Sequence, residues 1–277
     1  MQHCEVSKMF PKKISPDAIF QAIKLVKQRS PLVHNITNFV VMQTTANILL
    51  AVGASPIMAN AIEEMDDIVS MADALVINIG TLYSSLLDSI TKAQDIALQY
   101  QLPVIFDPVG AGASKFRTET AKNILNRGVS ILRGNASEIL SLQNNLVNNK
   151  GVDSCHETEQ ALEIAIDLSN QYNCCVVISG HKDIICYKNL TYYLTHGTPL
   201  LTRVTGMGCS ATALIGAFAA VVKDLSLASI YAMATLGLAA EKAEKLAQGP
   251  GSFYPILLDT LYKLELADFV NFHCELA

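Results

Sequence analysis

The sequence predicts an α/β fold in which a mostly parallel central sheet carries helices on both faces. Three observations support this. Short apolar runs alternate along the chain with longer segments of helical period, which is the pattern of repeated strand–helix–strand units. The runs at 74–79, 103–106 and 174–179 are apolar throughout, as strands covered from both sides should be. The chain has 277 residues, 51% hydrophobic and only 16% charged, so it can bury a large core without disulfides or metals.

The elements follow in order. Ser15-Pro16 opens a helix, with Ser as N-cap and Pro in the first turn, and Ile19, Ile23 and Val26 share one face. A short strand spans 32–36. A helix covers 44–52 and Gly53 ends it. Residues 55–58 are extended around Pro56. A helix over 62–72 precedes the buried strand ALVINI at 74–79, and an amphipathic helix covers 86–100. The strand PVIF at 103–106 runs into Asp107. A helix at 118–126 and a strand at 130–132 come next. The polar stretch 143–154 reads as a surface loop, and 157–172 as a strong amphipathic helix. CCVVIS at 174–179 is a strand, with Cys174 and Cys175 on opposite faces. Residues 184–187 and 190–194 form a hairpin around Lys188-Asn189. Three helices close the chain, over about 210–222, 225–247 and 254–267. There is no repeat and no linker. The chain reads as one domain over 1–277, with 1–14 as a candidate for a poorly ordered extension.

Composition removes several classes. Low charge and high hydrophobicity exclude disorder for most of the chain. The net charge of −5 and pI near 5.7 argue against a dedicated nucleic-acid binder. A membrane span needs roughly 18 consecutive apolar residues; the best runs, 211–222 and 230–240, contain Thr or Gly and stop short. Residues 1–13 lack the apolar core of a signal peptide. Seven scattered Cys without a CxxC read as reduced thiols of a cytoplasmic protein. So much apolar content must be buried in a core or in a subunit interface.

Polar clusters after strands have special value, because open α/β sheets bind ligands beyond the carboxyl ends of their strands. Five such clusters occur: 34–38 (HNITN), 107–112 (DPVGAG), Arg133-Gly134-Asn135 with Glu138, Ser179-Gly180, and Thr205-Gly206-Met207-Gly208-Cys209 leading into an apolar helix. The last is the most informative. Glycines let backbone approach a ligand, and a helix N-terminus presents free N–H groups, so the pair makes an anion site. Cys209 would stand at that N-terminus, where a thiol's pKa is expected to fall. The plain alternative, a turn with an inert buried Cys, carries similar weight.

Asp107 and Glu138 suit Mg²⁺, which prefers carboxylate oxygen and keeps waters. Singly, each reads better as a turn opener and an exposed first-turn helix carboxylate. Arg133 could clamp a phosphate. His34 reads as a structural hydrogen-bonding residue, and Met58 as core or as the wall of a small apolar pocket. Gly206-x-Gly208-x-x-Ala211 matches a dinucleotide fingerprint formally, but no strand ending in an acidic residue follows about 20 residues on. No Walker A sequence is present.

Together these stretches resemble the hydroxyethylthiazole kinase family of the ribokinase-like superfamily. The matching segments are 31–59, DPVGAGAS with FR (107–117), RGNASEI (133–139), VVISG (176–180), 202–220 and GPGSF (249–253), in family order. The resemblance implies a ribokinase-like fold and ATP-dependent phosphorylation of the hydroxyethyl group of 4-methyl-5-(2-hydroxyethyl)thiazole, a salvage step toward thiamine. It implies Mg²⁺ and a homotrimer with active sites at subunit interfaces. Carried over by motif, Met58, Gly206 and Asn35 lie at the thiazole, Arg133 and Ser179 contact ATP, and Asp107 and Glu138 organise the metal. Cys209 takes the place of the Asp base of related sugar kinases, with Gly206 and Gly208 in the loop that stabilises the transferring phosphoryl group. Residues 1–14 have no clear family counterpart, and Met207 and Ser179 replace residues more usual at those positions. The rival readings are a kinase for the pyrimidine branch or pyridoxal, a non-catalytic binder that keeps the fold, and a dehydrogenase.

Overall fold

A computed structural model describes residues 14–143 and 154–277. The first half runs α1 (Pro16–Arg29), β1 (Leu32–Ile36), α2 (Met42–Val52), β2 (Ser55–Ile57), a 3-10 turn (Ile62–Glu64) leading into α3 (Met65–Met71), β3 (Ala74–Asn78), α4 (Ser84–Gln99), β4 (Val104–Asp107), α5 (Lys115–Arg127), β5 (Ile131–Asn135) and α6 (Ala136–Ser141). The second half runs α7 (Ser154–Tyr172), β6 (Cys175–Ser179), β7 (Asp183–Tyr187), β8 (Leu190–Leu194), a 3-10 turn (Pro199–Arg203), α8 (Met207–Ala219), α9 (Leu225–Glu244), α10 (Pro250–Tyr262), a last 3-10 turn (Leu266–Phe269) and β9 (Cys274–Leu276). Ser15 caps α1 by accepting the Ala18 amide, and Gly53 ends α2 in the left-handed region.

The strands form one sheet in the order β2-β1-β3-β4-β5-β6-β7-β8-β9. β1 to β6 pair in parallel and the last three strands add antiparallel. From β1 the chain steps outward to β2, then crosses back over β1 to β3. The order therefore reverses between β1 and β3, and a crevice opens beyond their carboxyl ends.

The apolar strands divide their side chains between two cores. Val33, Val76, Ile105, Ile131, Cys175 and Val177 face α1, α2, α8, α9 and α10. Leu75, Ile77, Phe106, Leu132, Cys174 and Val176 face α3 to α7. The adjacent cysteines thus separate as period-two geometry requires. Gly216 lets α8 press onto the sheet, since a Cβ there would stand 2.9 Å from Val76 Cγ2.

Four features depart from the sequence reading. β5 continues through Arg133, Gly134 and Asn135, so these residues end a strand instead of following one. α8 begins at Met207, three residues early, which brings Gly208 and Cys209 into its first turn. α10 stops at Tyr262, and its continuation to Ala267 is replaced by a bend and a 3-10 turn. α6 and β9 were not anticipated, having six and three residues, too few to show a period. The surface-loop reading of 143–154 lies mostly outside the described residues, as do residues 1–13 of the N-terminal extension. Among the described residues no helix is long and apolar enough to cross a membrane.

Candidate active site

A cavity of about 430 Å³ opens at the carboxyl ends of the parallel strands. Its lining includes Asn38, Gly80, Asp107, Arg133, Glu138, Ser179, Gly206, Gly208 and Cys209. Seven of the nine site residues proposed from sequence are therefore brought together. Asp107, Asn135 and Ser179 end β4, β5 and β6, and the start of α8 closes the opposite side.

Asp107 is the deepest group, 1% exposed. Its Oδ2 accepts from Thr212 Oγ1 (2.8 Å) and Asn78 Nδ2 (3.0 Å), and Arg133 Nη1 stands 3.9 Å away. Its Oδ1 is buried without a partner. Burial pushes the carboxyl up to about 6 against the pull of Arg133, and Glu138 adds to the rise. This is more than a turn opener needs.

Arg133 donates from Nη2 to Ser179 Oγ (2.6 Å), while its Nε is buried and unpartnered. It lies under the start of α8, where a Cβ on Gly208 would stand 2.9 Å from Nη1. Gly206, the N-cap of α8, has φ +87, and a Cβ there would meet Val41 Cγ1 at 2.9 Å. The guanidinium and the first N–H groups of α8 both belong to the cavity wall, so an anion there would meet both.

Glu138 is buried, not an exposed first-turn carboxylate. Its Oε2 accepts the Asn135 amide and Asn135 Oδ1 accepts the Glu138 amide, each at 2.9 Å, a capping box that starts α6. Its Oε1 accepts the Gly110 amide at 2.9 Å. Both oxygens are thus held in place by backbone.

Cys209 corrects an expectation. Its helix N-terminus was expected to lower its pKa, yet burial pushes the thiol up to about 11, and the neighbouring Asp107 carboxylate adds to the rise. Hydrogen bonds from Asn78 and Asn38 and the charge of Arg133 oppose this only in part. The sulfur accepts from Asn38 Nδ2 at 3.6 Å. A pKa raised this far keeps the thiol protonated at neutral pH.

Asn35 and Met58 do not line the cavity. Asn35 is fully buried in β1, donating to Val33 O (2.8 Å) with its Oδ1 unpartnered. Met58 follows the edge strand β2 and is half-buried. His34 is structural as expected, with Nε2 bonded to Ala59 O at 2.9 Å and its pKa lowered by burial.

Sequence reasoning missed Asn78, Thr212 and Arg117. Asn78 is the hub between Asn38, Gly80 and Asp107: its Oδ1 accepts from Asn38 Nδ2 and the Gly80 amide, both at 2.9 Å. Because a backbone N–H can only donate, this fixes which side of the amide faces Asp107. The available signal was a polar residue inside the apolar run ALVINI.

Residues 23–267 match the hydroxyethylthiazole kinase family. The chain belongs to this family. It is 48% identical to the hydroxyethylthiazole kinase of Brachyspira hyodysenteriae over 256 residues, which cover 92% of this chain and 97% of that one. It is 48% identical to that of Pyrococcus horikoshii over 247 residues, 89% and 93% of the two chains. The solved structure of the Pyrococcus horikoshii hydroxyethylthiazole kinase protein superposes with a TM-score of 0.87 at 43% identity, covering 94% of this chain and 99% of that one. Staphylococcus aureus pyridoxal kinase, solved with AMP-PCP and pyridoxal, shares 15% identity with a TM-score of 0.61 over 89% and 98% of the chains, a likeness of fold alone. Membership of the hydroxyethylthiazole kinase family makes this chain a kinase, and its fold is ribokinase-like.

Proposed function

We propose that the protein transfers the γ-phosphoryl group of ATP to the hydroxyethyl group of 4-methyl-5-(2-hydroxyethyl)thiazole, as one kinase domain over residues 1–277, in the cytoplasm. The observation that carries this reading is the meeting of Asp107, Arg133, Glu138 and Ser179 with the Gly206–Cys209 helix start around one cavity. Transfer through a loose transition state needs positioning and electrostatic stabilisation more than covalent chemistry. Arg133 and Ser179 hold nucleotide phosphates in this scheme. The first turn of α8, opened by Gly206 and Gly208, stabilises the transferring group. Cys209, kept protonated, orients the hydroxyl and is not its base.

The donor set fits Mg²⁺. The orphaned Asp107 Oδ1 offers a hard oxygen, and Glu138 is positioned to hold a water of the ion. Among the described residues no group of three or more His, Cys, Asp and Glu could hold a metal, so most of the ion's shell is left to water and phosphate. When bound, Mg²⁺ supplies charge neutralisation on the phosphates.

Met58, Asn35 and Gly206 serve the thiazole in this reading. Met58 stands apart from the cavity of a single chain and is half-buried, which suits a pocket completed by another subunit of a homotrimer, whereas Asn35, fully buried in β1, would back such a pocket without facing it. Val40, which lines the cavity, is 65% exposed, and its neighbour Phe39, stacked on Tyr83, is 60% exposed, an apolar surface beside the cavity that a second subunit would cover in this reading.

Purified protein with Mg-ATP, offered the thiazole alcohol, the hydroxymethylpyrimidine and pyridoxal separately, tests the assignment. Phosphorylated thiazole and ADP are expected. Turnover of the pyrimidine without the thiazole alcohol would overturn the substrate, and binding without turnover of any alcohol would overturn catalysis.

A further inference from the structure

We propose that Arg117 is a positioning residue of the site, setting Glu138 and the cavity rim by clamping the two loops that follow β3 and β4. The proposal rests on the kinase reading above.

Arg117 lies in the first turn of α5, outside the cavity wall. Its Nη1 donates to Ile79 O (2.6 Å) and Val109 O (2.8 Å), and its Nη2 to Gly80 O (2.6 Å). Three carbonyls on two different loops are thus tied by one guanidinium, and among the described residues no carboxylate is paired with it. Gly80 and Val109 both line the cavity.

Val109 C=O and Gly110 N–H are the two ends of one peptide group. The carbonyl end accepts from Arg117, and the amide end donates to Glu138 Oε1 at 2.9 Å. A cation and an anion therefore grip the same peptide from opposite ends, each reinforcing the polarity the other needs. Gly110 makes room for this, with φ +73 and a Cβ position 3.3 Å from Arg117 Cδ. The consequence is mechanical. The Asn135 amide holds Oε2, but Oε1 keeps its partner only while that peptide keeps its orientation, and Arg117 fixes the orientation. A lysine cannot substitute, because its single nitrogen lacks the planar fork that reaches three acceptors.

The test compares wild type with Arg117→Lys and Arg117→Ala by thermal melting, by amide exchange at Gly110, and by initial rates with Mg-ATP and the thiazole alcohol. Arg117→Lys is expected to melt within about 5 °C of wild type, and Arg117→Ala, which strips the donor from three carbonyls, to melt lower, so its rates are taken where it is fully folded. Gly110 exchange should quicken in both. Their kcat should fall by about 10- to 100-fold, with KM for each substrate changed less than about threefold. Wild-type kcat in Arg117→Lys would overturn the proposal. So would unchanged Gly110 exchange, or a rate loss that merely follows a large drop in melting temperature. The exchange measurement does not depend on turnover. If wild type fails to phosphorylate the alcohol, the functional reading falls while exchange still judges the clamp.

Discussion

A Cβ on Gly208 would stand 2.9 Å from Nη1 of Arg133, so the helix start and the buried guanidinium are fitted to each other. Gly208 has no positive φ to demand glycine, so its smallness serves the arginine. Gly208→Ala should therefore separate stability from activity. Alanine is the better helix former by about 1 kcal/mol, and melting should not fall. Arg133 is held by Ser179 and Asp107 and cannot retreat without losing its alignment. A rise of about tenfold or more in KM for ATP is expected. Steady-state kinetics beside a thermal melt check this, and unchanged KM would deny the fit.

Cys209 should behave as a neutral thiol. With its pKa near 11, the pH–rate profile should show no thiol ionisation between pH 6.5 and about 9. Alkylation by iodoacetamide should be slow at pH 7.5 and quicken as pH rises toward 11. Cys209→Ser, which keeps a polar group of similar reach, should retain most activity, and Cys209→Ala should lose less than about 10⁴-fold in kcat. A larger loss would make the thiol an obligatory group.

Asn78 was hidden in the sequence by its neighbours. The run ALVINI reads as a buried strand, and it is one, but its last polar residue is what aims Asp107. Apolar runs make β3, β4 and β6 legible, and the residues that end β4 and β6, Asp107 and Ser179, could be picked out for that reason. Arg133 was legible as chemistry but not as strand, since nothing in ILRGN marks where pairing stops. The thiol's raised pKa was illegible, because it comes from burial and from Asp107, a neighbour only in space. Arg117 sat inside a matched segment, yet its role depends on two loops that approach only through the β3–β4 pairing.

Removing Asn78 tests the hub. Asn78→Ala strips a partner from the Gly80 amide, from Asn38 and from Asp107 Oδ2 at once. A buried donor or acceptor left unpaired costs about 1–3 kcal/mol, so urea unfolding should show a loss of at least that size. Loss of kcat should accompany it under conditions where the variant is still fully folded, because Asp107 is no longer aimed. A variant with wild-type stability and rate would show the amide to be dispensable.

Asp183 offers a stability test that leaves the reacting groups alone. It begins β7, 7% exposed, and its Oδ1 accepts the Gly180 amide at 3.0 Å. Burial pushes its carboxyl up to about 6 from the ordinary 3.8, against the hydrogen bond from Gly180 and the more distant charge of Arg133. The folded state therefore holds this proton more tightly than the unfolded chain does. Its contribution is fully present below pH 3.8, is lost as pH rises toward 6, and stays lost above. Asp183→Asn keeps an acceptor for Gly180 and cannot ionise. Relative to wild type it should gain stability of order 1–3 kcal/mol at pH 7.5 and little at the acid end of the folded range. Urea midpoints across pH 4 to 7.5 give the difference curve, in which the shared contribution of Asp107 cancels. A difference that is flat with pH would mean that ionised Asp183 is as well accommodated in the fold as in water.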